Sequence, residues 1–284
     1  MNLHPLLTFS KANRRLILLL LASHLLWSAA ILVLWASGRL FTTALPWYSG
    51  AFIALQLYAA AQLLLPALLF HPEERTRGFY LLWGMTLGLC IWLINQLPAP
   101  GDWQPLLAVL KSGLLLLVAT VTGAALARYV RRLWEIVPIC LVMTLADFAS
   151  WRCGPTAGFT RQIEQYRLSP EGPPPLVDMI LIKLAFPGVA DLAPLFGIAD
   201  WIMVVFFAIV ARRFGVNDNL IGAAGDSLAR QGKIGRYLPV SVVALFVAII
   251  LAQVSGLFLP ALPLMALIML LWYSVRYLLL HRRA

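Results

Sequence analysis

Long, almost uncharged apolar stretches recur along the whole chain and constrain its fold more than any other feature. Each is close to the ~20 residues that an α-helix needs to cross the hydrocarbon core of a bilayer. About eight can be distinguished, at residues 16–35, 44–70, 78–97, 105–127, 133–151, 192–211, 238–255 and 259–280. Hydrophobic residues make up 61% of the chain and charged residues only 12%, which is outside the range of soluble domains. The sequence therefore predicts an all-α polytopic membrane protein with about eight transmembrane helices.

The Lys and Arg residues are distributed unevenly over the segments between these stretches. With the N-terminus in the cytoplasm, 16 of them fall on the cytoplasmic side and 5 on the other, and Lys111 lies within a span. Because cytoplasmic loops are enriched in Lys and Arg, this bias predicts that both termini are cytoplasmic and that the long loop 152–191 is outside. The net charge of +10 then reflects Lys and Arg in cytoplasmic loops next to the lipid bilayer, and no nucleic-acid partner is predicted.

This topology divides the chain into an N-terminal part, 1–132, with helices one to four, and a C-terminal half, 133–284, with helices five to eight and the outer loop 152–191. Within the loop, residues 159–168 predict a short surface helix that the prolines at 173–175 end. Residues 176–186 are rich in β-forming residues and predict either a strand or a loop on the membrane surface. The three cysteines are scattered, so no disulfide or metal pattern is visible and no cofactor is predicted.

Two carboxylates interrupt the apolar stretches of the C-terminal half. Asp147 lies in the fifth predicted span and Asp200 in the sixth. A charge inside the membrane costs roughly 2.5–3.5 kcal/mol on insertion scales, so a span that keeps one usually uses it. At ~1.5 Å of rise per residue, Asp200 lies roughly 12 Å and Asp147 roughly 6 Å from the outer ends of their spans. These compatible depths predict that the two carboxylates share a site in the outer half of the membrane.

Other interpretations of the polar residues inside the spans remain open. Either aspartate alone is also typical of a structural hydrogen bond to a neighbouring helix. A proton-coupled transporter or channel would use the same pair as a relay, but the sequence has no internal repeat and no further acidic residues along a path. Five uncharged polar residues in the spans are predicted to form hydrogen bonds between helices: His24, Gln56, Gln62, Asn95 and Gln253.

A third feature, Pro260-Ala261-Leu262-Pro263, stands at the outer start of the last span. Two prolines at a helix N-terminus keep the local chain extended and leave backbone carbonyl groups exposed. The same membrane side carries both aspartates, so the sequence predicts that this segment belongs to their site.

The order of these motifs resembles the presenilin and signal peptide peptidase family of intramembrane aspartyl proteases. Asp147 corresponds to the aspartate of the family's Tyr-Asp motif, and Gly197-Ile198-Ala199-Asp200 to its Gly-x-Gly-Asp motif. Pro260-Ala261-Leu262 matches its Pro-Ala-Leu motif. The residues at 182–187, Ile-Lys-Leu-Ala-Phe-Pro, resemble the Lys-Leu-x-Phe-Pro stretch that leads into the second catalytic helix of signal peptide peptidases. The resemblance covers about residues 133–280, and the N-terminal half matches only in hydropathy.

The chain departs from the family pattern at three points. Ala146 replaces the tyrosine of the first motif, Ala199 replaces the second glycine of the next, and about eight spans are predicted where the family has nine. The methyl group of Ala199 is added where backbones approach closely. These departures bear on catalytic efficiency and leave the predicted presenilin-like bundle intact. Prepilin peptidases also have a Gly-x-Gly-Asp motif, but they lack the terminal Pro-Ala-Leu.

The resemblance implies peptide hydrolysis by one water held between Asp147 and Asp200, without a metal or cofactor. It implies a divergent prokaryotic member in a bacterial or archaeal plasma membrane, with single-span membrane proteins or remnant signal peptides as substrates. An outer loop between the catalytic helices corresponds to the orientation of signal peptide peptidases. The implied alternative is a proteolytically inactive homologue that binds membrane helices. The residues expected to contact substrate are Leu184, Gly197, Ala199, Pro260, Ala261, Leu262 and Pro263.

Overall fold

The computed structural model describes residues 11–41, 46–97, 103–154, 179–255 and 260–281, together with Gly158, Gln162 and Gln165. The helices in these residues are α1 Lys11–Gly38, α2 Pro46–Gln62, α3 Leu65–Phe70, α4 Arg77–Gln96, α5 Gln104–Ala127, α6 Ile136–Cys153, α7 Ile198–Arg213, α8 Ala223–Arg230, α9 Val240–Ser255 and α10 Ala261–His281. The strands are β1 Leu181–Leu184 and β2 Ala193–Gly197, and single 3-10 turns lie at Pro72–Glu74 and Leu133–Glu135.

Six helical segments among the described residues are long and apolar enough to cross a membrane. They are Asn13–Gly38, Trp47–Phe70, Arg77–Gln96, Gln104–Ala127, Leu133–Arg152 and Ala261–Leu278. These segments are typical of a helical polytopic membrane protein, as predicted. The other two predicted spans correspond to α7 and α9, which have 16 residues each. Such helices are roughly 24 Å long, shorter than the ~30 Å hydrocarbon core, so the count of eight spans stays a prediction.

The predicted sixth span, 192–211, is only partly helical. Its first residues form β2, and the helix begins at Ile198. Pro194 has no N–H to donate within a helix, and Gly197 is extended, with φ −84° and ψ 161°, as the residue that precedes α7. Asp200 is therefore the third residue of its helix, and the estimate of its depth from a helical rise was wrong.

Helix α7 forms the centre of the bundle. All its residues from Val204 to Arg212 are buried, as expected for a helix that is apolar on every side. Its most extensive contact is with α5, where a Cβ added to Gly123 would lie 2.6 Å from the Ile202 carbonyl oxygen and 2.8 Å from the Val205 Cβ. Small residues permit such close backbone contact between membrane helices. The core around α7 contains residues of both predicted halves, from Trp27 to Tyr273.

The helices around this centre expose large apolar side chains. The most exposed of them on α4, α6 and α10 are Leu81, Met85, Val142, Leu145, Leu271 and Leu278. Helix α6 contacts mainly α10 and has few buried residues, among them Cys140 and Met143. The outer surfaces of these helices are thus suited to contact with lipid.

The two strands form an antiparallel hairpin that is inserted into the bundle. Leu181 pairs with Gly197 and Leu184 with Ala193, and an irregularity lies between Ile182 and Lys183. Ile182 and Leu184 point into the core with 0% and 1% of their surface exposed. The predicted strand within 176–186 is therefore confirmed at β1, whereas its partner β2 was not predicted. Apart from Gln162 and Gln165, which are helical, the expected surface helix at 159–168 and the prolines at 173–175 lie outside the described residues.

Helices of the N-terminal part hold this hairpin by hydrogen bonds to its backbone. The side-chain amide of Gln56 on α2 accepts from the Ala185 N–H and donates to the Ala185 carbonyl, both at 2.9 Å. Ser112 Oγ on α5 accepts from the Lys183 N–H at 3.0 Å. Near the end of α1, Trp35 Nε1 donates to the Ala190 carbonyl at 2.8 Å and the Gly188 N–H donates to the Gly38 carbonyl at 3.0 Å. The start of α7 is thereby fixed by the N-terminal helices.

Candidate functional site

Asp200 lies in the first turn of α7, directly after the hairpin. Its Oδ2 accepts a hydrogen bond from the Gly197 N–H at 2.9 Å, an N–H that the helix itself leaves without a partner. A carboxylate at this position also interacts favourably with the positive end of the helix dipole. The residue is partly exposed, and its carboxyl group supports the start of the helix.

Asp147 lies on α6 and faces the start of α10. Its Oδ2 accepts a hydrogen bond from the Leu262 N–H at 3.2 Å. Leu262 is the second residue of α10, and the following residue, Pro263, has no N–H to donate. Like Asp200, Asp147 is partly exposed. The structure thus joins Asp147 to the Pro-Ala-Leu-Pro segment, two features that are 115 residues apart in the sequence.

The two aspartates lie within electrostatic range of each other. The charge of Asp147 acts on the Asp200 carboxyl group. Helix α10 packs along α6 and also contacts α7, whereas α6 and α7 make few direct contacts. The start of α10 therefore lies beside Asp147, and further along α10 the Tyr273 hydroxyl group donates to the Phe207 carbonyl of α7 at 2.8 Å. A single water bridging the two carboxyl groups, within roughly 3–7 Å, stays a prediction.

A hydrogen-bonded chain lies behind Asp200 and connects three helices. Trp201 is fully buried, and its Nε1 donates to Thr120 Oγ1 on α5 at 3.2 Å. Thr120 Oγ1 is 3.4 Å from His24 Nε2, and His24 Nδ1 is 2.8 Å from the Leu20 carbonyl oxygen of α1. The prediction of an interhelical partner is thus confirmed for His24. This series of hydrogen bonds fixes the rotation of α7 about its axis, and with it the direction of Asp200. The sequence did not predict the role of Trp201 and Thr120, because neither residue is unusual in an apolar span.

The same prediction is wrong for Gln56 and Gln62, whose partners outside their own helix are loop backbones. Gln56 holds the hairpin, and Gln62 donates to the Tyr237 carbonyl and accepts from the Gly235 N–H, both at 2.9 Å. A glutamine inside an apolar stretch signals that a buried partner exists. It does not reveal whether that partner is a helix or a loop.

The residues expected to contact substrate differ in accessibility. Leu184 points into the core, so only its backbone remains for such a contact. Ala199 is exposed beside Asp200. A Cβ added to Gly197 would meet only Asp200 Oδ2 at 3.7 Å and the Ala199 nitrogen at 4.0 Å, so the space next to this glycine is open. Ala261 and Leu262 are partly exposed, as are the prolines on either side of them.

One group of described side chains has the composition and spacing of a metal site, and it is remote from the aspartates. Ligand atoms of His71, Glu73 and Glu74 lie within 4.8 Å of one another. Glu73 is paired with Arg212, which is twelve residues after Asp200 and therefore roughly 18 Å along α7.

No protein-family model, no curated protein and no solved structure matches this chain.

Proposed function

We propose that this protein is an intramembrane aspartyl protease that hydrolyses peptide bonds of single-span membrane proteins or remnant signal peptides. The observation that carries the proposal is the hydrogen bond from the Leu262 N–H to Asp147, with Asp200 in electrostatic range of the same carboxylate. In this proposal, three motifs that resemble the presenilin and signal peptide peptidase family and are far apart in the sequence form one site.

The proposed chemistry uses the two carboxyl groups with one proton between them, since two carboxylates at close range cannot both ionise cheaply. The ionised group takes a proton from a water, whose oxygen attacks the scissile carbonyl carbon. The neutral group donates its proton to the carbonyl oxygen. Collapse of the tetrahedral intermediate breaks the C–N bond, and the amine leaves with a proton returned from the dyad.

A transmembrane substrate must unwind before its carbonyl groups become accessible, and a strand edge would hold it in an extended form. The edge of β1 that faces away from β2 is already bonded, because Ser112 accepts from Lys183 and Gln56 bonds Ala185 just beyond the strand. Among the described residues, the outer edge of β2 has no strand partner. This edge leads directly to Asp200 and is the better candidate. The segment from Pro260 to Pro263 borders the site on the α10 side.

The test is cleavage of a panel of single-span substrates by purified protein, with Asp147→Asn and Asp200→Asn as variants. Asparagine keeps an oxygen that accepts the Leu262 or Gly197 N–H, so the helix caps are retained while the acid is removed. We expect each variant to lose at least about 10³-fold in rate. The matched control is Asp218→Asn, which changes a buried aspartate after the other end of α7.

Three results would contradict the proposal. If both Asn variants cleave like the wild type, the two carboxyl groups are helix caps only. If the wild type binds the panel but cuts none of it, the protein is an inactive helix-binding homologue. Proton flux into liposomes that depends on both aspartates would instead indicate a transporter or channel.

The distribution of Lys and Arg supports the orientation that this function requires, with cytoplasmic termini and the loop 152–191 outside. Reporter fusions after Glu171 should then report an external position, and fusions at Ala284 a cytoplasmic one. A cytoplasmic signal at Glu171 would reverse the inferred polarity of the substrate.

A further inference from the structure

A cavity of about 390 Å³ lies at the end of α7 that is remote from Asp200. Four arginines line it, from the ends of three helices: Arg128 follows α5, Arg212 and Arg213 end α7, and Arg230 ends α8. Such a concentration of guanidinium groups around one cavity raises the question of which anions compensate them.

Two of the four arginines are compensated by the protein. Arg212 is buried, forms an ion pair with Glu73 and donates to the Ala67 and Leu68 carbonyls at 2.6 and 2.7 Å. Arg230 pairs with Asp226 at 2.8 Å. These two guanidinium groups have structural partners and form the wall of the cavity.

The other two arginines have no carboxylate partner among the described residues. Arg213 donates to the Ala127 and Arg128 carbonyls at 3.1 and 3.3 Å, which leaves its charge uncompensated. Arg128 lies over the rings of Tyr80 and Tyr129, at 5.6 Å from each centroid. Two positive charges that face one cavity repel each other unless an anion lies between them.

We propose that this cavity binds a phosphate group, carried either by a phospholipid headgroup or by a soluble phosphate ester. The planar guanidinium group offers paired N–H donors that match phosphate oxygens. The cavity also lies at the ends of apolar helices, next to two tyrosines, where headgroups and aromatic side chains meet in a membrane. This phosphate binding would be separate from the proposed proteolysis.

A divalent cation is the competing ligand, because His71, Glu73 and Glu74 have suitable spacing. The charges around the cavity decide against it. Glu73 is already neutralised by Arg212, and Glu74 is largely exposed. With Asp226, which pairs with Arg230, included, four guanidinium groups against three carboxylates leave a net positive site that attracts anions and repels cations.

The test is a native mass spectrometry titration of the purified full-length protein in detergent with phosphatidylglycerol and with diacylglycerol, which has the same chains but no phosphate. We expect one saturable site that prefers the phospholipid. Arg128→Gln and Arg213→Gln should each weaken that binding about tenfold, the effect of losing one charge-assisted hydrogen bond. The matched control Arg132→Gln removes an exposed charge that is four residues from Arg128 and does not line the cavity, and it should bind like the wild type.

Glycerol 3-phosphate added as a competitor distinguishes the two sources of the phosphate. If glycerol 3-phosphate displaces the lipid, and its own binding is weakened by the same two arginine substitutions, the site is assigned to soluble phosphate esters. If it does not displace the lipid, the site is assigned to the phospholipid headgroup. The proposal is overturned if diacylglycerol binds equally well, if neither phosphate compound binds, or if the two variants bind like the wild type. Binding of Zn²⁺ or Mg²⁺ without any phosphate binding would also overturn it. Because the Arg128 guanidinium group makes no hydrogen bond to the described residues, Arg128→Gln alone decides the result if Arg213→Gln does not fold.

Discussion

Replacing Gln56 with leucine removes the link between α2 and the hairpin while it conserves most of the side-chain volume. Gln56 is completely buried, and its amide satisfies both the N–H and the carbonyl of Ala185. In Gln56→Leu these two backbone groups stay buried without their partners. The helix α2 itself loses only one local bond, from Gln56 Nε2 to the Phe52 carbonyl at 3.1 Å.

The magnitude follows from the two orphaned groups. A buried donor or acceptor without a partner costs about 1–3 kcal/mol. At about 1.5 kcal/mol for each of the two groups, the loss at Ala185 amounts to about 3 kcal/mol. The cost falls on the hairpin, whose local opening becomes more frequent by the same free energy. At 1.4 kcal/mol per factor of ten, amide exchange in β1 and at Ala185 should accelerate about 100-fold.

The assay is hydrogen exchange of the detergent-solubilised protein, resolved to peptides that cover residues 181–186 and 235–238. Gln62→Leu is the matched control, because Gln62 holds the Gly235 N–H and the Tyr237 carbonyl with the same two-bond pattern. Each variant should accelerate exchange only in its own segment, and only Gln56→Leu should slow substrate cleavage. Unchanged exchange at 181–186 in Gln56→Leu, or the same profile in both variants, would refute the assignment of the hairpin's stability to Gln56.

Three further outcomes are expected from the structure. Gly123→Ala should lower the midpoint of thermal unfolding, because overpacking against α7 costs about 1–3 kcal/mol and removing a helical glycine gains only up to ~1 kcal/mol. Gly88→Ala, with nothing within 4 Å of the new Cβ, should raise the midpoint. The reverse order of the two midpoints would contradict the α5–α7 contact. Burial raises the pKa of Asp218 to about 7, so the folded protein retains a proton that the unfolded chain releases above about pH 4. The free energy of unfolding should therefore fall as the pH rises from about 4 to about 7. Asp218→Asn should flatten this pH profile, and an unchanged profile would exclude Asp218 as its origin. Ala199→Gly should raise the cleavage rate, because it opens space for substrate beside Asp200. A lower midpoint of thermal unfolding with an unchanged cleavage rate would mean that the methyl group only supports the helix.

The membrane class of the fold could be predicted from sequence because the hydrocarbon core demands long apolar helices, and composition alone reveals them. The strand β2 could not. Residues Ala193–Gly197 are apolar and continuous with α7 in sequence, so hydropathy assigns both to one span. What makes them a strand is pairing with β1, a tertiary contact that no local pattern contains.

The candidate site was predictable to a different extent. Asp147 and Asp200 stand out because charges are rare inside apolar stretches, and any careful count finds them. The membrane side of Pro260–Pro263 predicted that this segment belongs to the site of the aspartates. The hydrogen bond from the Leu262 N–H to Asp147 was not predicted, since a peptide N–H carries no sequence signal. The hydrogen bonds of Gln56 and the chain from Trp201 to His24 depend on how elements pack, and that packing emerges only in the folded chain.

The two aspartates of the proposed dyad are divided between a tightly packed and a loosely packed part of the molecule. Asp200 belongs to α7, which is buried from Val204 to Arg212 and packs closely against α5 at Gly123. Asp147 belongs to α6. Only 17% of the most apolar part of the segment Leu133–Arg152 is buried, and the main protein neighbour of α6 is α10. Lateral pressure and acyl-chain order in the surrounding lipid therefore act chiefly on one of the two acids. Bilayer composition should then set the spacing of the pair, and a change of lipid should alter turnover without altering the stability of the central helix.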